Sequence, residues 1–222
     1  MSRDSRRLLP EPPPSFSLTK RFAGWLAVLA ALHLLSAAIA AGSASDPSQG
    51  ISKAAADACS AKVKKMEDFA ANAVPGKKQT LRFSQDEVNS YLALELSSKY
   101  SPSLKSLMFT FEEAKLQGNA VIDFDRLGMR TAKLLSKIVA MMFSGSHRLS
   151  ARGKLIAQSG KANFQLEEAR FDDTSLPNFL VEEIITAVGR KQRPPFDPMQ
   201  PSQMPYRIEK VELHAGSIRI YQ

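Results

Sequence analysis

Cysteine is nearly absent from this sequence. Cys59 stands alone among 222 residues, so no disulfide can form within the chain. It does not follow the hydrophobic segment in a lipoprotein-like setting, and it reads as a small buried residue. Aromatic residues suited to stacking on bases are also scarce, with one Trp and four Tyr and no interleaving with basic runs. Nucleic acid is therefore not an expected partner. Of three histidines, His33 lies inside an apolar run, and His147 and His214 lie beside turns. No G-x-S-x-G, H-E-x-x-H, P-loop or G-x-G-x-x-G pattern occurs. The adjacent acids Glu167-Glu168, Asp172-Asp173 and Glu182-Glu183 point apart in a strand or a helix, which disfavours an acid–base couple. Asp123 and Asp125 share one face of a strand end, where a divalent ion is conceivable and a solvated edge is the simpler account. No catalytic residue, metal ligand or cofactor is assigned, and the chain is not expected to be an enzyme.

Charge and hydropathy divide the N-terminus from the body. The net charge is +8, and residues 1–21 supply +3 of it through five cations and two acids. The remaining +5 is a diffuse excess, better suited to an anionic membrane surface than to a dedicated groove. Residues 1–21 are basic, contain Glu11-Pro12-Pro13-Pro14 and are expected to be disordered. Residues 22–41 carry no charge and are long enough to cross a bilayer. Ala38-Ile39-Ala40 and Gly42-Ser43-Ala44 follow the small-x-small pattern that precedes signal-peptidase cleavage. Cleavage would free the body and retention would anchor it. Both put it in a periplasmic or other extracytoplasmic space, because the preceding cations stay inside. The expected divisions are 1–21, a signal peptide or anchor at 22–44, an N-terminal helix within 45–76, and an α+β domain over 77–222.

Within the body, residues 52–74 read as a helix ended by Pro75-Gly76, and residues 79–83 as a short strand. Ser84 and Glu87 form a capping box that opens a helix through about Ser97, with Val88, Tyr91, Leu92 and Leu96 inward. Three hairpins are expected. The first turns at Gln117-Gly118-Asn119, the second at Ser159-Gly160-Lys161 and the third at His214-Ala215-Gly216. A helix begins at Pro177 and ends at Gly189, and 190–205 form a proline-rich loop. The longest amphipathic stretch is 126–143. Its Arg126, Arg130, Lys133 and Lys137 fall within about 60° on a helical wheel, and its apolar arc spans roughly 200°. Such an arc needs a large apolar partner. The expected fold is a curved antiparallel sheet wrapped around this long helix, preceded by the N-terminal hydrophobic helix.

The run Phe83-Ser84-Gln85-Asp86-Glu87-Val88-Asn89-Ser90-Tyr91-Leu92 resembles the F-T-x-x-E-[LV]-N-x-x-L start of bacterial tubular lipid-binding (TULIP-like) proteins, including the LmeA-like phospholipid-binding family. Leu176-Pro177, Leu180, Pro194-Pro195, Met204-Pro205, Ile208, Val211, Gly216, Ile218 and Ile220 are similar to the family's closing pattern, with Met204 where Leu is usual. The resemblance spans about residues 79–222. It implies a TULIP-like half-barrel enclosing a hydrophobic groove, and it brings no catalytic or head-group residues.

An acyl site needs apolar lining and few polar groups, because burial is worth roughly 0.8 kcal/mol per methylene. Eight Met and twelve Phe suit an adaptable lining. The candidate lining residues are Phe109, Phe111, Ile122, Phe124, Leu134, Ile138, Met141, Met142, Phe164, Leu166, Leu180 and Ile184. Arg190, Lys191 and Arg193, beside the proline loop, are candidate head-group donors. The expected partners are a phospholipid or other acyl lipid and a membrane surface. The competing expectation is a membrane-tethered envelope scaffold whose core is filled by its own side chains.

Overall fold

The computed structural model describes residues 50–72, 74–127, 144–192 and 195–222. Ser52, in an extended conformation, accepts the Ala55 N–H and starts helix α1, Lys53–Ala71. Ala56, Cys59, Val63 and Met66 recur at helical spacing and form its buried stripe. Strand β1, Thr80–Ser84, leads directly into helix α2, Gln85–Tyr91. Both halves of the capping box form: Ser84 Oγ accepts the Glu87 N–H, and Glu87 accepts the Ser84 N–H. The helical path continues through a wider π turn, Leu92–Leu96, and a 3-10 turn, Ser97–Lys99.

Strands β2, Leu104–Glu112, and β3, Lys115–Asp123, make the first hairpin. Its turn is at Glu113-Ala114, with Ala114 at φ 58°, and not at Gln117-Gly118-Asn119 as expected. Gly118 instead lies mid-ladder, between Phe109 on one side and Ala151 on the other. Gly118 is buried there, opposite Phe109, and adds no side chain to that face. Helix α3, Phe124–Leu127, follows. The rest of the expected long helix, 128–143, lies outside the described residues.

Strands β4, Ser146–Gln158, and β5, Lys161–Phe171, are joined by Ser159-Gly160, both at positive φ as a type I′ turn requires. A bulge after Arg152 sets Gly153 opposite Leu166. A side chain at Gly153 would meet the Gln165 carbonyl at 2.1 Å and the Phe164 ring at 2.7 Å. Short β6, Thr174–Ser175, precedes helix α4, Asn178–Lys191. This helix runs past Gly189, which was expected to end it. A Cβ there would sit 2.7 Å from the Phe196 carbonyl, so Gly189 admits the proline-rich loop against the helix. Strand β7, Ser202–Gln203, pairs with β5, and β8, Lys210–His214, and β9, Ser217–Tyr221, close the chain as the third hairpin.

The protein is thus α+β with two antiparallel sheets. The larger has the order β2-β3-β4-β5-β6, with β7 on β5, and the smaller is β1-β9-β8. The third hairpin therefore pairs with β1 and does not extend the first two.

The sheets meet where α2 covers the outer edge of β2. Asn89 Oδ1 accepts the Phe109 N–H at 2.7 Å, and its Nδ2 donates to the Phe109 carbonyl at 2.8 Å. Gln85 Oε1 accepts the Phe111 N–H at 2.9 Å, and the Phe111 carbonyl accepts from Gly216 N–H. Replacing Asn89 with Ala strands two backbone groups in a buried setting. Asn89→Ala is expected to cost about 2–3 kcal/mol in urea unfolding, and Asn89→Asp, which sets a carboxylate oxygen against the Phe109 carbonyl in the same buried setting, at least as much.

Candidate functional site

The inward residues of β2, β3 and β5 are the expected lining. Phe109, Phe111, Ile122, Phe124, Phe164 and Ile184 are each between 0% and 4% exposed and belong to one core cluster. Alternation along the strands puts Phe109, Phe111, Ile122 and Phe164 on one face, and Phe124 from α3 and Ile184 from α4 join the same cluster. Phe109 and Phe111 stack with centroids 6.3 Å apart, and Phe124 meets Phe171 edge to face at 5.5 Å. Leu166 and Leu180 are half-buried, with Leu166 packed against the same cluster. Leu134, Ile138, Met141 and Met142 lie outside the described residues.

Near the first turn of α4 this apolar region reaches the surface. Leu176 is half-buried and packs on the core, Leu180 is half-buried, and Phe179 is 67% exposed. At the other end of the helix, Arg190 and Lys191 are exposed, and Arg190 lies 3.9 Å from Asp197. Arg193 is outside the described residues. Asp197 is in turn held by the Thr186 hydroxyl and the Met199 N–H. Of the described head-group candidates, Arg190 thus lies near an acid and Lys191 is exposed.

Other polar groups are largely committed to one another. Lys62 Nζ donates to both Glu87 oxygens at 2.6 and 2.7 Å and to the Arg82 carbonyl, which ties α1 to the capping box. Asp123 accepts from Arg126 N–H and pairs with Lys105 at 3.3 Å. Burial pushes its carboxyl up, but the Arg126 N–H and Lys105 outweigh that and hold it below the usual range. Asp125 accepts the Gly145 N–H at 3.0 Å. Among the described residues no group of three or more His, Cys, Asp or Glu could hold a metal ion. Burial raises the Cys59 thiol to about 12, so it packs as an inert small group.

Sequence reasoning missed two features that geometry makes plain. One is the Gln85–Asn89 edge cap, signalled by two polar residues four apart on a helix flank next to Val88 and Leu92. The other is His147, whose Nδ1 is 2.5 Å from Asp172 Oδ2 and whose Nε2 is 2.6 Å from the Ser144 carbonyl. Its ring stacks on Phe171 at 4.6 Å. Both nitrogens face acceptors, so only the doubly protonated imidazolium satisfies both. Burial lowers the His147 pKa, but the Asp172 and Ser144 hydrogen bonds outweigh it and the net direction is upward from 6.5. Nothing in the sequence brings positions 147 and 172 together. Their meeting depends on the β4–β5 register.

A raised histidine pKa contributes stability that is full below the unfolded-state value and is lost as pH rises through the folded-state value. Stability is therefore expected to fall by less than about 1 kcal/mol as pH is raised from below 6.5 into the alkaline range, because Asp172 is half-exposed and screened. His147→Gln should flatten that slope in denaturant titrations. An unchanged slope would show that His147 binds its proton equally in the folded and unfolded chain.

Among the described residues, no helix is long and apolar enough to cross a membrane, and residues 22–41 lie outside that set. No protein-family model, characterised protein or solved structure matches the chain.

Proposed function

We propose that this is an extracytoplasmic lipid-binding protein that holds acyl chains against the apolar face of its larger sheet, with no chemistry performed on them. The observation that carries this proposal is the apolar route at the start of α4, from exposed Phe179 past Leu180 and Leu176 to the core cluster. Three large apolar side chains within five residues form a lip where a chain leaving a bilayer can stay out of water. Exchange between bilayer and protein is then near neutral: roughly 0.8 kcal/mol per methylene is kept on both sides. The TULIP-like resemblance of residues 79–222 supports the same function. On this proposal, the sheet wraps around the helical stretch at 126–143, whose apolar arc completes the lining. The uncharged run at 22–41 delivers the body across the cytoplasmic membrane and, where it is not cleaved, tethers it there.

The low exposure of six lining residues favours a second account, a tethered envelope scaffold with a filled core. The two differ in what accompanies the purified protein. Lipid binding predicts acyl lipid in an organic extract analysed by mass spectrometry, at a stoichiometry near one per chain. It also predicts that Phe179→Ser slows lipid uptake from vesicles by about tenfold, the loss of one large apolar contact at the lip. An extract without lipid, together with one stoichiometric protein partner, supports the scaffold instead.

A further inference from the structure

At the end of the larger sheet that carries the β4–β5 turn, a groove of about 720 Å³ opens between that turn and the segment leading into β8. Buried Met204 and Ile208 are the apolar part of its wall. Gln158, Ser159 and Gln203 add neutral hydrogen-bonding groups, and Arg207 adds a guanidinium. Two other charged residues line it. Lys210 is committed elsewhere, with Nζ 2.6 Å from Glu212, and Glu209 is exposed. The Arg207 side chain is exposed and takes part in no hydrogen bond or ion pair among the described residues.

The backbone at this point is unusual. Tyr206 and Arg207 are consecutive non-glycine residues in the left-handed region, at φ 52° and 57°. L-residues avoid that region, and they persist there only where surrounding contacts over-determine the chain. Those contacts are present. The Met204 N–H donates to the Gly160 carbonyl at 2.7 Å, and the Ile208 N–H to the Pro205 carbonyl at 3.0 Å. The amide of the last residue, Gln222, donates to the Tyr206 carbonyl. Bonds on both flanks, the Gln222 carboxamide among them, therefore hold Arg207 on the groove's rim in a conformation its own preferences oppose.

We propose that this groove binds a monoanionic phosphodiester. Arg207 is the forked donor to two of its oxygens, and the Gln158 and Gln203 carboxamides and the Ser159 hydroxyl are its neutral donors. The charge balance selects the class. With Lys210 matched by Glu212, Arg207 is the lining cation left without an acid partner among the described residues, and Glu209 on the same wall opposes a second negative charge. A singly charged diester needs only the local guanidinium. The Met204 and Ile208 wall suits the carbon on either side of the phosphorus. This site replaces Arg190, which faces Asp197, as the head-group donor. It rests on the lipid proposal only for the source of the ester, which is either a phospholipid head group or a soluble glycerophosphodiester.

The test is isothermal titration of the full-length protein with three probes. They are dihexanoylphosphatidylglycerol below its micelle concentration, chain-free glycerophosphoglycerol, and dihexanoylglycerol, which lacks phosphate. Saturable binding of at least one phosphodiester is expected, weakened at least about tenfold in Arg207→Gln and unchanged in Arg190→Gln. Equal affinity for the chain-free and short-chain esters assigns the soluble source, and binding of the short-chain lipid alone assigns the head group. Phosphodiester affinities no better than that of dihexanoylglycerol, or affinities unmoved by Arg207→Gln, overturn the proposal. Failure of the lipid account shows separately, as an extract without acyl lipid from protein that still binds glycerophosphoglycerol through Arg207.

Discussion

Two side-chain amides hold this molecule's two sheets in one body. Asn89 and Gln85 present to β2 the donors and acceptors that a neighbouring strand would supply, so the outer edge of β2 is closed by a helix. Because α2 is continuous with β1, the same contact brings the smaller sheet against the larger. The Gly216 N–H to Phe111 and the Ala114 N–H to Leu213 complete the seam. Phe109 and Phe111 are fixed in register by these bonds. Their rings, with Ile122 and Phe164, set the contour of the apolar face. A slip of one residue would turn every one of them outward.

Charge plays a different part from the one its excess suggests. Lys62, Lys105, Lys115 and Arg152 are each held by a carboxylate on another element: Glu87, Asp123, Glu167 and Glu112 respectively. Partly exposed pairs of this kind add little stability singly. They do fix which cations remain available to an anion, and Arg207 stands out among those for its placement on a groove. Glu212 shows the opposite extreme. Hydrogen bonds from Lys210 and the Tyr221 hydroxyl lower its carboxyl to about 2, so the outer face of the small sheet stays fully charged.

Local chemistry was legible and tertiary necessity was not. The Ser84–Glu87 capping box, the Ser159-Gly160 turn and the terminal hairpin are written in residues whose preferences act over three or four positions. Gly118 and Gly189 misled because glycine marks close approach as readily as it marks a turn. One lies beside Phe109 in the ladder and the other against the Phe196 carbonyl. The Ala114 turn was hidden, since alanine seldom takes positive φ. Of the candidate site, the eight described lining residues are all buried or half-buried, and six belong to one core cluster. A charge run in sequence also says nothing of the acids that fold against it, such as Asp197, 3.9 Å from Arg190.

The apolar face of the larger sheet is fixed by the Gln85–Asn89 edge contact, and apolar side chains reach the surface at Phe179. A fatty acid carrying a diazirine near its terminal carbon, photolysed with the purified protein and mapped by peptide mass spectrometry, tests that idea directly. The account predicts adducts on the inward residues of β2, β3 and β5, competed away by unlabelled lipid. Labelling confined to exposed side chains such as Leu94 and Val74, or unaffected by competitor, would contradict it.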